Sequence, residues 1–318
     1  MNRRDFIRNA LIAGTALQFP HIWIKNSRAD QKLFKLCILQ TNDTHSRIDP
    51  FPMDGGRNQG LGGIARRASL VNRIRNQNPN TLLLDAGDVL QGTPYFNLFK
   101  GKLEYQTMTA CGYDVSTLGN HEFDNGVDSL ANALQYARFD IVNCNYEFGN
   151  TALRPIVKRF VTRQVGPFRV GITGVGISFE DLVSPKNHKG VTYEKPYHIL
   201  QSVVNYLRKD LSCQLVIVLS HLGYRYDEDR PSDVEMAGEV NGIDWIIGGH
   251  THTFMDAPDT IISKGGHQTG ILQVGWAGIL LGKTDFLFDN KKLVAFKSES
   301  TLIDDTDTGQ LAAAEQFS

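Results

Sequence analysis

The sequence is poor in cysteine and has no bias of charge. Its 318 residues include 4 cysteines, none in a Cys-x-x-Cys pair, so neither a disulfide scaffold nor a cysteine-type zinc site is indicated. Lysine and arginine number 33 against 34 aspartates and glutamates, which argues against a protein that binds polyanions through bulk positive charge. The 41% of hydrophobic residues excludes a disordered chain. We expect Cys37, Cys144 and Cys213, in or beside apolar runs, to be buried.

The chain also lacks an apolar run long enough for a normal membrane span. The stretch from Ala10 to Phe19 is shorter than the about 20 residues that a span requires. It follows a charged start containing Arg3-Arg4, a pattern typical of a secretory signal, and the arginine pair resembles a twin-arginine signal. We therefore predict a removable signal over residues 1–29, export to the periplasm or cell envelope, and no stable membrane span.

Short apolar runs alternate with helical patterns along the body of the chain. Apolar residues recur with helical spacing in 64–75, 127–137 and 199–207. This alternation predicts an α/β fold with largely parallel strands. The runs that fit buried strands are Leu36–Leu39, Thr81–Leu84, Val115–Leu118, Ile141–Val142, Val170–Ile172, Leu215–Leu219 and Trp245–Ile247.

The region from Gly270 to Phe296 reads as strands without helices, which predicts an antiparallel edge or a second sheet. No repeat, low-complexity segment or flexible linker interrupts the chain. We predict one domain over residues 30–300 and a polar tail over residues 301–318.

Polar side chains suited to metal binding follow five of the apolar runs. Because the carboxyl ends of strands in open α/β sheets converge on one crevice, we expect these side chains to lie together. His21, His188, His198 and His267 lie elsewhere and receive no role. The five segments are Thr41-Asn42-Asp43-Thr44-His45, Asp85-Ala86-Gly87-Asp88, Gly119-Asn120-His121-Glu122, Ser220-His221 and Gly248-Gly249-His250-Thr251-His252.

The ligand types restrict the metal. Imidazole, carboxylate and amide groups without thiolate favour Zn, Mn or Fe. Seven ligands with one shared carboxylate provide four protein ligands to each of two ions, and Asp88 is the natural bridge. Such a pair of ions clamps an in-line displacement at phosphorus. The seven candidates are Asp43, His45, Asp88, Asn120, His221, His250 and His252.

The order of the segments, Asp-x-His, Gly-Asp, Gly-Asn-His-Glu, His and Gly-His-x-His, resembles that of the calcineurin-like metallophosphoesterases. The longer strings 119–126 and 248–252 resemble the bacterial 5′-nucleotidase branch, and the resemblance covers about residues 35 to 290. It implies a four-layer α/β/β/α sandwich and a His121–Asp124 catalytic pair. It also implies one ion on Asp43, His45, Asp88 and His252, and a second on Asp88, Asn120, His221 and His250.

The resemblance implies that two divalent cations supply a bridging hydroxide, which attacks the phosphorus of a nucleotide or a related small ester. Asn120 and the ions would offset the charge on the phosphoryl oxygens, and His121 would stabilise or protonate the leaving group while Asp124 holds its ring. We expect Glu122 and Phe123 to be packing and turn residues. Arg66, Arg67 and Arg73 are expected on the solvated face of the first helix.

The sequence departs from the branch in one respect. Full-length members carry a C-terminal domain that holds the nucleoside, and we expect this domain to be absent here. Either the enzyme is less selective or a separate chain supplies that domain. The alternatives are a cyclic-nucleotide or nucleotide-sugar phosphodiesterase, a thiosulfohydrolase-like enzyme, and a non-enzymatic metal-binding module. We expect no nucleic acid polymer as a partner.

Overall fold

The computed structural model describes residues 33–305. The predicted signal over residues 1–29, and the part of the predicted tail after residue 305, lie outside the described residues. The strands within them are β1 (Phe34–Thr41), β2 (Thr81–Asp85), β3 (Val115–Ser116), β4 (Asp140–Val142), β5 (Tyr146–Glu147), β6 (Val157–Lys158), β7 (Phe160–Val165), β8 (Phe168–Gly176), β9 (Thr192–Tyr193), β10 (Leu215–His221), β11 (Trp245–Gly248), β12 (Asp259–Ile262), β13 (Gln268–Leu272), β14 (Leu280–Asp289) and β15 (Lys292–Leu302).

Helices cover the outer faces of the sheets. Their apolar residues recur with helical spacing, and in α1 the buried set includes Ala68, Val71 and Ile74. A 3-10 turn spans His121–Phe123. The helices are α1 (Ile64–Gln77), α2 (Pro94–Phe99), α3 (Lys102–Cys111), α4 (Val127–Leu134), α5 (Pro196–Lys209) and α6 (Asp233–Glu239).

Among the described residues, the strands form two large sheets and a small one that pairs β5 with β9. The first large sheet has the order β15-β14-β1-β2-β3-β4-β6, and the second has the order β12-β13-β11-β10-β8-β7. The central strands of each run parallel, whereas β14, β15, β7 and β12 add antiparallel edges. The central strands are buried on both faces, as the run Leu215–His221 shows with all of its residues buried.

Three apolar clusters separate four layers. The cluster between the sheets joins Leu36 and Leu84 of the first sheet with Ile217 and Trp245 of the second. A second cluster packs α1 to α4 on the first sheet, and a third packs α5 and α6 on the other. The predicted α/β/β/α sandwich is confirmed, and so is the burial of the free Cys37, Cys144 and Cys213.

The strand-rich end of the chain divides between the sheets. β13 joins the second sheet in parallel, and β14 with β15 forms the antiparallel edge of the first. β15 continues to Leu302 and the next residue, Ile303, is fully buried, so the ordered fold passes the predicted boundary at residue 300.

The prediction for Arg67 is wrong. Its side chain is buried at 1% exposure and donates to the Tyr113 hydroxyl at 2.9 Å, so it does not lie on a solvated helix face. Within residues 33–305, no helix is long and apolar enough to cross a membrane.

Strand register sets the geometry of the strand ends. Thr41 of β1 lies beside Asp85 of β2, and Asp85 lies beside Ser116 of β3. In the second sheet, Ser220 of β10 lies beside Gly248 of β11. Within each sheet, the polar segments that follow these strands therefore begin at the same edge, side by side.

Candidate metal centre

The first candidate group comprises Asp43, His45 and His252, which contribute ligand atoms within 4.8 Å of one another. Nε2 of His45 lies 2.9 Å from Nε2 of His252, and Nε2 of His252 lies 3.4 Å from Oδ1 of Asp43. Asp43 and His45 are buried and His252 is partly exposed. These residues come from both sheets, since two follow β1 and the third follows β11.

The second candidate group comprises Asp88, His221 and His250, again with ligand atoms within 4.8 Å. Nε2 of His221 lies 3.0 Å from Oδ2 of Asp88. Asn120 adjoins the group, with its Oδ1 3.0 Å from Nδ1 of His250. The structure therefore brings all seven predicted ligands to one rim, in two groups.

The two groups are neighbours. Oδ1 of Asp43, from the first, lies 3.9 Å from Nε2 of His221, from the second. Asp88 accepts the backbone N–H of His121 through Oδ1 at 2.9 Å and approaches His221 through Oδ2. That Asp88 is shared by two ions stays a prediction.

The histidines fit metal binding. Nδ1 of His221 lies 2.8 Å from the Ala86 carbonyl, which can hold the ring N–H and leave Nε2 with a lone pair. That Nε2 is buried and faces Oδ2 of Asp88 at 3.0 Å, and despite burial this carboxylate raises the pKa of His221 to about 10, so a bound cation would take the place of the ring proton. His45 is held likewise, with Nδ1 3.3 Å from the Leu90 carbonyl. Burial lowers the pKa of His45, and burial with the neighbouring His221 lowers that of His250 to about 4, so both rings favour the neutral form that ligates metal.

Five of the seven candidate ligands have a left-handed backbone conformation. Left-handed φ values are uncommon for residues other than glycine and cluster at functional sites, where surrounding structure maintains them. Strain is therefore concentrated where the candidate ligands lie. The ligands with positive φ are Asp43 (49°), His45 (48°), Asp88 (52°), His250 (73°) and His252 (51°).

Two glycines allow close approach at the site. A Cβ on Gly119 would collide with Oδ1 of Asp88. A Cβ on Gly249 would lie 3.0 Å from Nδ1 of His221 and 3.1 Å from Oδ2 of Asp43. Gly249 therefore allows the backbone to lie close to both ligand groups.

His121 and Asp124 form a hydrogen-bonded pair beside the first group. Nδ1 of His121 lies 2.8 Å from Oδ2 of Asp124, and the His121 ring packs edge-on against His45 with centroids 5.4 Å apart. The hydrogen bond to Asp124 raises the pKa of His121 despite partial burial. Both side chains stay about one-third exposed, at 32% and 28%, so the pair is accessible to a small molecule.

Glu122 does more than the packing role predicted for it. Its buried carboxylate accepts the backbone N–H groups of Asp88 at 3.0 Å, of Val89 at 2.8 Å and of Leu90 at 3.3 Å, and that of Gly119. It thus holds the loop that carries Asp88. The Glu of the Gly-Asn-His-Glu string was the available signal, but three of its four partners lie more than 30 residues away in sequence. Phe123 is fully buried, as predicted.

Asp233 is a second supporting residue that sequence reasoning missed. It is fully buried, accepts from Ser220 and lies 3.1 Å from Nε2 of Gln273. The same Gln273 amide donates to the Gly249 carbonyl at 2.9 Å. Burial raises the pKa of Asp233 to about 7. This network links the residues before His221 and His250, and no local sequence signal marks it.

Two adjacent groups of imidazole and carboxylate ligands at the strand ends of an α/β/β/α sandwich define a class of protein built around a binuclear metal site. The calcineurin-like phosphoesterase family matches residues 37–254. The chain belongs to this family. The stated resemblance is thereby confirmed, and with it, at the level of the family, the expectation of a phosphoester hydrolase.

Individual relatives of the chain support the same family assignment. The chain is 32% identical over 296 residues to the snake venom 5′-nucleotidase of Gloydius brevicauda, covering 85% of this chain and 48% of the relative. It is 32% identical over 279 residues to the 5′-nucleotidase of Bos taurus, covering 81% and 47%. The crystal structure of the 5′-nucleotidase precursor from Thermus thermophilus superposes with a TM-score of 0.78 at 31% identity, covering 89% of this chain and 57% of that one. The chain thus spans about half the length of these curated relatives.

Proposed function

We propose that the chain is a binuclear metal-dependent phosphomonoesterase that acts on nucleotides or related small phosphate esters. The observation that carries this proposal is the adjacency of the two ligand groups to the His121–Asp124 pair. The 5′-nucleotidase relatives support nucleotides as the substrate class. A protein that only stored metal would have no need of a partly exposed histidine–aspartate pair beside its ligands.

The residues divide into metal ligands and groups that act on the substrate. Asp43, His45 and His252 would hold one divalent ion, and Asp88, Asn120, His221 and His250 a second, with Asp88 shared between them. The donor set suits Zn, Mn or Fe. When bound, such ions supply positive charge to phosphoryl oxygens and make hydroxide available near neutral pH.

The protein's own groups complete the chemistry. His121, whose cationic form the hydrogen bond to Asp124 favours, is placed to donate a proton from Nε2 to the leaving oxygen, since its Nδ1 faces Asp124. Asn120 contacts Nδ1 of His250 through its Oδ1, and its amide N–H₂ would donate to a phosphoryl oxygen. Glu122 accepts backbone N–H groups of the loop that carries Asp88 and so holds Asp88 in position within the second group.

A phosphate-release screen of the full chain reconstituted with Mn, Zn, Co, Mg or Fe tests the proposal. The substrates are nucleoside monophosphates, cyclic nucleotides and nucleotide sugars. Because hydrolysis of the last two yields monophosphates rather than free phosphate, their products are separated by chromatography, and sulfate release from a protein thiosulfonate is measured in parallel for a thiosulfohydrolase. We expect metal-dependent phosphate release from monophosphates, abolished by chelation and insensitive to His198→Ala, which changes an exposed histidine outside both groups. Absence of turnover on every ester with metal bound would support the non-enzymatic alternative.

Export is the accompanying proposal on localisation. The signal pattern in residues 1–29 motivates it, and the similarity to a snake venom protein and to a 5′-nucleotidase precursor agrees with it. A reporter fused to residues 1–35 should leave the cytoplasm, and Arg3→Lys with Arg4→Lys should retain it. Export of the doubly changed fusion would refute the twin-arginine route.

The hypothesis that a separate chain supplies a nucleoside-binding domain rests on the resemblance alone. Adding a candidate domain encoded in the same genome should sharpen the preference for nucleotides over other esters. A candidate that neither binds nor changes this preference would remove the hypothesis.

A further inference from the structure

A partly exposed tryptophan lies beside the first ligand group in an otherwise buried loop. Of residues 271–279, Trp276 is the one that is not buried. The loop is fastened on both sides of it, because the Gly275 carbonyl accepts from Nδ2 of Asn42 at 2.6 Å and the Ala277 N–H donates to the Asp43 carbonyl at 2.7 Å. The indole is thus anchored to the same segment that carries the ligand Asp43.

The indole ring belongs to an aromatic surface. It is parallel to the His252 ring, at 7° with centroids 5.8 Å apart, in an offset stack. Phe51 meets it edge-on at 5.8 Å, and the Arg47 guanidinium lies 4.1 Å from the Phe51 centroid. Phe51 is also partly exposed, and its N–H and carbonyl bind Leu61 and Gly60, which closes the loop that bears it. We name Phe51 and Trp276 the aromatic platform.

The platform's position suggests its ligand. A phosphoryl group bound at the two ligand groups leaves the rest of the ester to extend along the bordering walls, and on the His252 side that wall is the platform. Exposed aromatic faces bind planar rings by stacking, and they bind every nucleobase because each has a π-face. Aliphatic sugar phosphates offer no such surface.

We propose that Trp276, supported by Phe51, binds the planar aromatic part of the leaving group, so that the enzyme prefers nucleobase-bearing esters to aliphatic sugar phosphates. The inference rests on the proposed phosphoesterase function. It assigns base recognition to the catalytic domain itself.

The test compares a nucleoside 5′-monophosphate with ribose 5-phosphate in the metal-loaded full chain. Trp276→Leu should raise KM for the nucleotide about 5- to 150-fold, the range of one stacked base, while KM for ribose 5-phosphate and bound metal change less than 2-fold. Trp276→Phe should retain most of the affinity. Tyr206 is an aromatic residue on α5 that is 45% exposed. The matched control Tyr206→Leu should leave KM unchanged for both substrates.

Fluorescence gives a readout independent of turnover. Of the three tryptophans, Trp23 lies outside the described residues and is removed by Trp23→Phe in every sample, Trp245 is fully buried between the sheets, and Trp276 is partly exposed. Adenosine should therefore quench the tryptophan fluorescence of the metal-loaded chain that keeps Trp276, and ribose should not. The Trp276→Phe variant should show no quenching by adenosine. Equal losses on both substrates, or loss of metal in Trp276→Leu, would show that Trp276 only positions His252 and would overturn the inference.

The inference and the proposed function fail separately. If no ester is hydrolysed but adenosine quenches Trp276, the phosphoesterase function is wrong and ring binding stands. If nucleotides and ribose 5-phosphate are hydrolysed and adenosine has no effect, the platform is wrong and the function stands. If Trp276→Leu does not fold, the titrations of the chain that keeps Trp276 and of Trp276→Phe decide the matter.

Discussion

Asp43 accepts the backbone N–H of His250 with both carboxylate oxygens, each at 3.0 Å, across 207 positions of sequence. Asp43 follows β1 of the first sheet and His250 follows β11 of the second. The contact joins the two sheets at the rim where the ligands lie. It also brings the carboxylate of one ligand group against the backbone of a residue from the other, so the two groups are mechanically connected.

The division between metal ligands and proton donor predicts different results for Asp88 and His121. Asp88→Asn should lower both bound metal and rate, because a neutral amide replaces a carboxylate that approaches His221 at 3.0 Å. His121→Ala should lower kcat about 10²- to 10⁴-fold with metal retained, the usual loss for a general acid. Elemental analysis beside steady-state kinetics checks both. Loss of metal in His121→Ala would make His121 a ligand.

The Asp124 contact predicts a change in pH dependence. The hydrogen bond to Asp124 raises the pKa of His121, so the acid form persists to higher pH than in an isolated histidine. Asp124→Asn removes that stabilisation of the cation, and the alkaline limb of the kcat profile should move to lower pH. Asp128→Asn, an exposed acid on α4, is the control and should leave the limb in place. An unmoved limb in Asp124→Asn would separate the pair from proton transfer.

The Glu122 contacts predict a loss of both stability and metal affinity. In Glu122→Gln the side chain keeps one oxygen, and its N–H₂ group faces backbone N–H donors that the carboxylate accepted. Each buried donor left unpaired costs about 1–3 kcal/mol. We expect a lower midpoint of urea unfolding and weaker metal binding, because the Asp88 loop loses its support.

The exposed Glu180→Gln serves as the control for Glu122 and should change neither property. Normal metal binding in Glu122→Gln despite lower stability would mean that the Asp88 loop keeps its shape without the carboxylate.

Backbone strain at His252 predicts that glycine is more stable than alanine there. At φ 51° an L-residue is disfavoured by about 1–2 kcal/mol relative to glycine, and the greater freedom of unfolded glycine offsets about 0.5–1 kcal/mol of this. His252→Gly should therefore exceed His252→Ala in unfolding free energy by about 0.5–1 kcal/mol. The measurement uses chelator-treated protein, so that loss of metal does not contribute.

At an exposed helical position we expect the alanine variant to be more stable than the glycine variant, the reverse of the order at His252. His198 is exposed on α5, where alanine should exceed glycine by about 1 kcal/mol. Equal stability of His252→Gly and His252→Ala would show that the neighbouring contacts, not the backbone, set the cost at this site.

The elements that could be predicted are those with a strong local pattern. β1, β2, β8, β10 and β11 fall where apolar runs predict them, because strands buried on both faces need continuous apolar residues. α3 was missed because its buried positions include Glu104 and Thr107, which obscure the apolar stripe. Arg67 was misplaced because its partner Tyr113 comes from a distant segment.

The amino-acid sequence by itself determined the strand–helix order, the burial of three of the cysteines and the identity of seven candidate ligands, since each depends on residue type and on spacing within a few positions. The convergence of the ligands on one rim was expected, but only the tertiary structure showed the contact by which the two sheets meet there, the carboxylate of Asp43 against the N–H of His250. It also decided that Glu122 and Asp233 support that rim, and that a tryptophan borders it. These features depend on contacts between residues far apart in the chain, and local pattern carries no information about such contacts.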